Sequence, residues 1–211
     1  MLSRNGPAQG GASLGKEPLL NRHEKTLYRN PKVGTIRAMS THTPIYMTPT
    51  CAEQMRAELK DLLYVKRPDT VRRVSDAAAE GDRSENAEYI YGKRHLRKID
   101  SRIHFLTKRI ENAEIVDPAA QGKTAAGRIL FGATVVVEDE DGEEVTYCIV
   151  GIDEYNGAKG LVSWQSPIGK ALMRKEVGDV AIIKTPTGTR ELEILSIDYQ
   201  PIEGVEIISR V

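Results

Sequence analysis

Cysteine is almost missing from this chain. Cys51 and Cys148 are the only two, far apart and without a CxxC pair, which excludes a disulfide framework or a zinc ribbon and makes a reducing cytoplasm the expected setting. Aromatic side chains are also scarce, at 5% of 211 residues. The C-terminal half has Phe131 as its sole phenylalanine, beside Tyr147, Tyr155 and Trp164, so an aromatic-lined pocket is poorly supplied there. No apolar run approaches the roughly 18 residues of a membrane span, and no charged-then-apolar leader opens the chain. A soluble, unexported protein with no membrane partner is expected.

Net charge is absent as well, but the zero sum conceals three regions. Residues 1–47 carry 7 basic and 2 acidic side chains, residues 60–115 carry 13 and 10, and residues 127–211 carry 8 and 15. Residues 1–46 hold Gly6, Pro7, Gly10, Gly11, Gly15, Pro18, Pro31, Gly34 and Pro44 with neither helical nor strand periodicity, and are expected to be a disordered extension. Such a basic stretch reads as a nucleic-acid arm, as a transit segment, or as codons upstream of a true start at Met39 or Met47.

The pattern changes at Thr48-Pro49, an N-cap and N1 pair. Met55, Leu59, Leu62, Val71, Val74 and Ala78 then recur at helical spacing, with Pro68 expected to bend or break the helix. A second helix is cleaner. Tyr89, Leu96, Ile99, Ile103, Leu106, Ile110 and Ala113 form a heptad seam in which Gly92 is the one weak position. Joined around Gly81, the two predict an antiparallel coiled-coil hairpin of about 45 Å over residues 47–121.

This hairpin is polarised. Lys93, Arg94, Arg97, Lys98, Arg102, Lys108 and Arg109 oppose one acid, Asp100, over 17 residues, whereas the connecting turn Gly81-Asp82-Arg83-Ser84-Glu85-Asn86-Ala87-Glu88-Tyr89 is acidic. Cations can simply solvate a coiled coil; their single sign here points instead to a partner with negative character, such as RNA phosphate or an acidic protein channel. Asp82 and Glu85 also have the spacing of a capping box. Glu88 reads first as a charge partner of the helix N-terminus. Tyr89 fits the seam, Tyr91 is open to stacking, and His95 and His104, nine apart, read as surface residues.

From residue 122 the chain turns β-like. Residues 129–137 and 145–150 flank an Asp-Gly turn, a second hairpin runs from Val180 through Thr185–Gly188 to Tyr199, and Ser166–Met173 reads as a short capped helix. The fold class is thus α+β: a helical hairpin followed by an antiparallel sheet over 122–200, with a tail at 201–211 and the two parts as separate folding units.

Residues 45–200 resemble the bacterial Gre transcript-cleavage factors. The resemblance rests on Gly81–Tyr89, Phe131-Gly132-Ala133-Thr134-Val135, Ile149-Val150-Gly151, Ser166-Pro167-Ile168, Lys175-Glu176-Val177-Gly178-Asp179 and Lys184-Thr185-Pro186. The Asp-Arg-Ser-Glu-Asn-Ala wording and the cationic shank look like those of the GreB branch. The resemblance implies an FKBP-like C-terminal domain docking on RNA polymerase through Gln165, Ser166 and Pro167, with Gln165 standing where Asp or Asn is usual. It also implies a coiled coil entering the secondary channel, with Lys93, Arg94, Arg97, Lys98 and Arg102 facing channel and RNA. Asp82 and Glu85 would share Mg²⁺ with the polymerase active centre and promote cleavage of the backtracked RNA 3′ end. A cytoplasmic, monomeric activator is implied, not an enzyme in its own right. Two other classes are a non-cleaving channel regulator, against which Asp82 and Glu85 argue, and a prolyl isomerase or chaperone, against which the poor aromatic supply argues.

Since the arm offers no apolar face, deleting residues 1–38 should leave folding and activity intact, with the truncated protein melting within about 2 °C of the full chain by calorimetry. A larger drop would show that the arm packs on the body.

Overall fold

The computed structural model describes residues 44–80, 86–185 and 188–207; the arm 1–43 and the segment 81–85 lie outside the described residues. Strand β1 (Ile45–Met47) leads into helix α1 (Pro49–Asp61), capped as the sequence predicts by Thr48, whose side chain accepts from the Cys51 N–H. A π turn (Leu62–Lys66) joins α1 to α2 (Arg67–Ala79). Helix α3 (Ala87–Glu111) runs back, and β2 (Ala113–Ile115) pairs with β1 in parallel, tying the two ends of the hairpin together. Ala113, expected on the helical seam, is therefore a strand residue.

The interruption expected at Pro68 takes the form of a π turn and not of a full break. Asp61, Leu62, Lys66 and Arg67 all keep right-handed helical angles, and the Arg67 N–H reaches back five residues to the Leu62 carbonyl. Proline lacks an N–H and its ring needs room beside the preceding turn, so the chain inserts one wide turn just before it.

The hairpin core lies toward its base. Met55, Leu59, Leu62, Ile99, Ile103 and Leu106 are buried there, whereas Leu96, Val74 and Tyr89 are half-buried and Val71 is exposed. Fully burying each large aliphatic contributes on the order of 1.5–3 kcal/mol, so stability concentrates at that end. Gly92 is more than a weak seam position: a Cβ there would stand 2.6 Å from Val74 Cγ2. Its absence lets the outer helices approach. Nearer the tip, Asn86 Nδ2 donates to the Ala77 carbonyl across the hairpin.

The second part is a five-stranded sheet in the order β5-β4-β3-β7-β6. The strands are β3 (Thr134–Asp139), β4 (Glu144–Val150), β5 (Leu161–Ser163), β6 (Val180–Thr185) and β7 (Gly188–Asp198). Pairing is antiparallel except for β4–β5, which is parallel, and a bulge interrupts β3–β7 between Val136 and Val137. The short helix α4 (Pro118–Gly122) precedes the sheet, and α5 (Pro167–Leu172) packs against β5 and β6. Gly169 of α5 is a close approach, since any Cβ would collide with the Ser163 carbonyl.

Val135, Val137, Ile149, Leu172, Leu192 and Ile194 fill the core on one side of the sheet. The other apolar cluster belongs to both parts: Val150 and Leu161 of the sheet join Met47, Cys51 and Leu106 of the hairpin base. Residues beyond the sheet also return to it. Ile202 and Val205 are buried in that cluster, and Gln54 accepts from the Ile207 N–H and donates to the Val205 carbonyl. The hairpin and sheet therefore share one core at their junction, where two separate units were expected.

Replacing Gly92 by leucine should force the outer helices apart and destabilise the protein by about 1–3 kcal/mol, as overpacking does. Thermal unfolding followed by circular dichroism checks it, and adding Val74→Ala to make space should recover part of the loss.

Candidate functional site

The candidate site runs along α3 from its N-terminus to the sheet. Asp82 and Glu85 belong to the connecting segment and lie outside the described residues. The helix cap beside them is settled, however: the Asn86 side chain accepts from the Tyr89 N–H. The capping-box reading of Asp82 and Glu85 thus fails, because α3 begins only at Ala87. Glu88 sits in the first turn, where a carboxylate complements the helix dipole.

Four of the five sequence-predicted cations, Lys93, Arg94, Arg97 and Lys98, are exposed. The Lys93 ammonium lies 5.2 Å from the Tyr89 ring and the Arg94 guanidinium 5.7 Å from the Tyr91 ring. Tyr91 is itself 64% exposed. The acid among these cations is already engaged, since Asp100 accepts from Arg67 Nε of α2 at 2.8 Å. Its charge is answered from the other helix, which leaves the cationic face less compensated than the sequence suggests.

Arg102 is the exception and corrects the predicted set. It is buried, and its guanidinium donates in bidentate fashion to Glu58 of α1, Nε to Oε1 at 2.9 Å and Nη2 to Oε2 at 2.7 Å. Its charge joins the helices rather than facing a channel. The partner lies 44 residues away, beyond any local signal. Arg109 is similarly engaged, donating through Nε and Nη2 to the two carboxylate oxygens of Asp153 at 2.8 and 3.1 Å.

Sequence reasoning also missed Phe105. It is 38% exposed, with the guanidinium groups of Arg102 and Arg109 at 5.2 and 5.4 Å from its ring. A groove of about 710 Å³ opens beside it, lined among others by Arg94, Arg97, Lys98, Phe105, Ile152 and Asp153. A flank rich in cations over an apolar floor suits an anionic strand that offers both phosphate and apolar surface. The only sequence sign of it was an aromatic residue outside the heptad seam.

The docking candidates lie apart from this face, in the turn between edge strand β5 and α5. The Ser166 hydroxyl accepts from the Gly169 N–H and caps α5, the Gln165 N–H donates to Ser163 Oγ, and Pro167 is exposed. Ser166 is thus committed to shaping the turn, leaving Pro167 and the half-buried Gln165 as its presented surface. His95 and His104 are exposed, as expected.

Breaking the buried pair should cost about 3 kcal/mol in Arg102→Met, because it takes the bidentate guanidinium away from the Glu58 carboxylate. The double variant Glu58→Leu/Arg102→Met should recover most of that stability. Urea unfolding of both variants, against an exposed control at Arg97, makes the comparison.

Two family models match in order: "Transcription elongation factor, N-terminal" over residues 45–115 and "Transcription elongation factor, GreA/GreB, C-term" over residues 123–199. The chain is 46% identical over 165 residues to "Transcription elongation factor GreB" of Neisseria meningitidis serogroup B, covering 78% of this chain and 100% of that protein. It is 50% identical over 145 residues to the GreB of Haemophilus influenzae, covering 68% of this chain and 89% of that one. A solved structure, the GreA factor homolog 1 (Gfh1) protein of Thermus thermophilus, aligns with 74% of this chain and 99% of its own at 24% identity and a TM-score of 0.35. On the two domain matches and the near-full-length relatives, the chain belongs to the GreA/GreB family of transcription elongation factors, on its GreB side.

Proposed function

We propose that this protein binds RNA polymerase, inserts its helical hairpin into the secondary channel, and stimulates cleavage of the backtracked RNA 3′ end. The carrying observation is the polarity of the hairpin: an acidic segment, Asp82 to Glu85, connects two antiparallel helices whose shank exposes Lys93, Arg94, Arg97 and Lys98. A carboxylate pair separated from a cationic shank suits a task in which phosphates are held along the shank and a cation is met at its end. The protein acts as an activator of the polymerase, as a monomer, with Gln165, Ser166 and Pro167 at the docking surface.

The donor set fits a shared Mg²⁺. Asp82 and Glu85 offer hard carboxylate oxygens, and with Asn86 serving as the helix cap neither is needed for that role. Two side chains cannot complete an octahedral shell, which is why the ion is proposed to be shared. When bound, Mg²⁺ would supply charge neutralisation at the scissile phosphate and a more acidic water. The contribution of this chain is placement. Asp82 and Glu85 bring negative charge to the end of the hairpin, while Arg94, Arg97 and Lys98 hold extruded RNA by its phosphates, a contact that weakens with salt.

The test is a stalled, backtracked polymerase incubated with the protein and Mg²⁺, followed for shortening of the RNA from its 3′ end. Asp82→Asn and Glu85→Gln should each lose most of the stimulation while binding the polymerase almost unchanged. Equal loss of binding by both would sink the reading. Reversing Arg94, Arg97 and Lys98 to glutamate should weaken action on long extruded RNA and flatten its salt dependence; unchanged activity at low salt would reduce these cations to solvation.

A further inference from the structure

The turn that follows β4 grips the hairpin twice. Glu154, wholly buried, accepts through Oε1 from the Thr48 N–H at the start of α1, at 2.7 Å. Asp153, the preceding residue, receives both Nε and Nη2 of Arg109 near the end of α3. The turn is pressed against the strand that leads into α1, since a Cβ on Gly151 would stand 2.5 Å from the Tyr46 carbonyl oxygen. Two consecutive acids of one sheet-borne turn thus hold the beginning of one hairpin helix and the end of the other.

We infer that Asp153 and Glu154 are positioning residues that fix the direction in which the hairpin leaves the sheet, and so the place its far end reaches. The shared apolar cluster at the junction resists separation but is non-directional and tolerates small rotations. A charge-assisted bidentate pair and a buried N–H to carboxylate bond are directional. One such contact would leave rotation about itself free; two, on different helices, confine it to the line that joins them, and the close packing of Gly151 on Tyr46 and the shared cluster oppose what remains. The lever makes this matter. Helix α3 has 25 residues, about 37 Å at 1.5 Å per residue, so holding its far end within about 0.5 Å requires the joint to be held within roughly 1°. A 3° looseness would move that end by about 2 Å, and misplacement by 1 Å can cost about a hundredfold in rate.

The consequence for cleavage rests on the proposed function, whereas the geometry is measured without polymerase. Spin labels at exposed Glu88 and Ser196, on a Cys148→Ser background that leaves only buried Cys51, report the distance from hairpin to sheet by pulsed electron resonance. The distance distribution should be narrow in the parent and at least about 1.5-fold wider in Glu154→Met, which cannot accept from Thr48, a width that a few degrees of looseness would give over this lever. Glu154→Gln, which keeps a carbonyl acceptor, should restore the parent width. Asp153→Ala should widen it too, and decides the matter if Glu154→Met does not fold. In the cleavage assay the widened variants should lose at least about tenfold in maximal rate, with the half-maximal concentration unchanged because the docking turn is untouched. Unchanged widths overturn the inference, as do wider distributions that leave the maximal rate intact. Widening in a series whose parent stimulates no cleavage would sink the proposed function but leave the clamp standing.

Discussion

Everything distal in this molecule hangs on the packing of α1 against the C-terminal half of α3. Leu59, Leu62, Ile99 and Leu106 are fully buried there, and the Arg102–Glu58 pair joins the same helices beside them. Beyond that point the seam thins to half-buried and exposed residues, and contact is maintained by the absence of a side chain at Gly92 and by the Asn86 to Ala77 bond. The hairpin is a cantilever, and cooperative helix formation propagates order outward from a stable base. Without the base, no geometry at the far end could be maintained.

A cantilever is only as directed as its mounting. The parallel pair β1–β2 closes the hairpin on itself, and the shared cluster with Val150, Leu161, Ile202 and Val205 seats it on the sheet. Burial of the Glu154 carboxyl raises its pKa, against which its hydrogen bond from the Thr48 N–H works. Placing an acid where desolvation disfavours its charge makes sense only if the group is needed where it stands, here opposite the first backbone donor of α1.

What the sequence disclosed, and what it hid, divides along chain separation. Caps at Thr48 and Ser166 and both β-hairpins depend on neighbours within a few residues, and each formed where the local pattern predicted. Two local signals took a form that a near neighbour decided: Asn86 caps α3, and the interruption expected at Pro68 is a π turn. The rest needed distance. No spacing rule pairs Arg102 with Glu58, turns residues 202–207 back onto the hairpin base, or runs β5 parallel to β4. The acidic and cationic residues of the candidate site were legible by type and order, but not which cations were already spent.

That last distinction changes what charge means on α3. Counting sequence charges over residues 93–109 gives a cationic stretch with one acid. The structure sorts them: Arg102 and Arg109 hold the fold together through Glu58 and Asp153, Asp100 is engaged by Arg67 across the hairpin, and Lys93, Arg94, Arg97 and Lys98 remain at the surface. The structural pairs lie at the base, where burial makes an unpaired charge costly. Lys93, Arg94, Arg97 and Lys98 lie between base and tip, where solvent covers them and an unpaired charge costs little. One helix thus carries two populations of the same residue types. Depth in the junction separates them, so the four exposed cations of the outer shank can be substituted without disturbing the mounting.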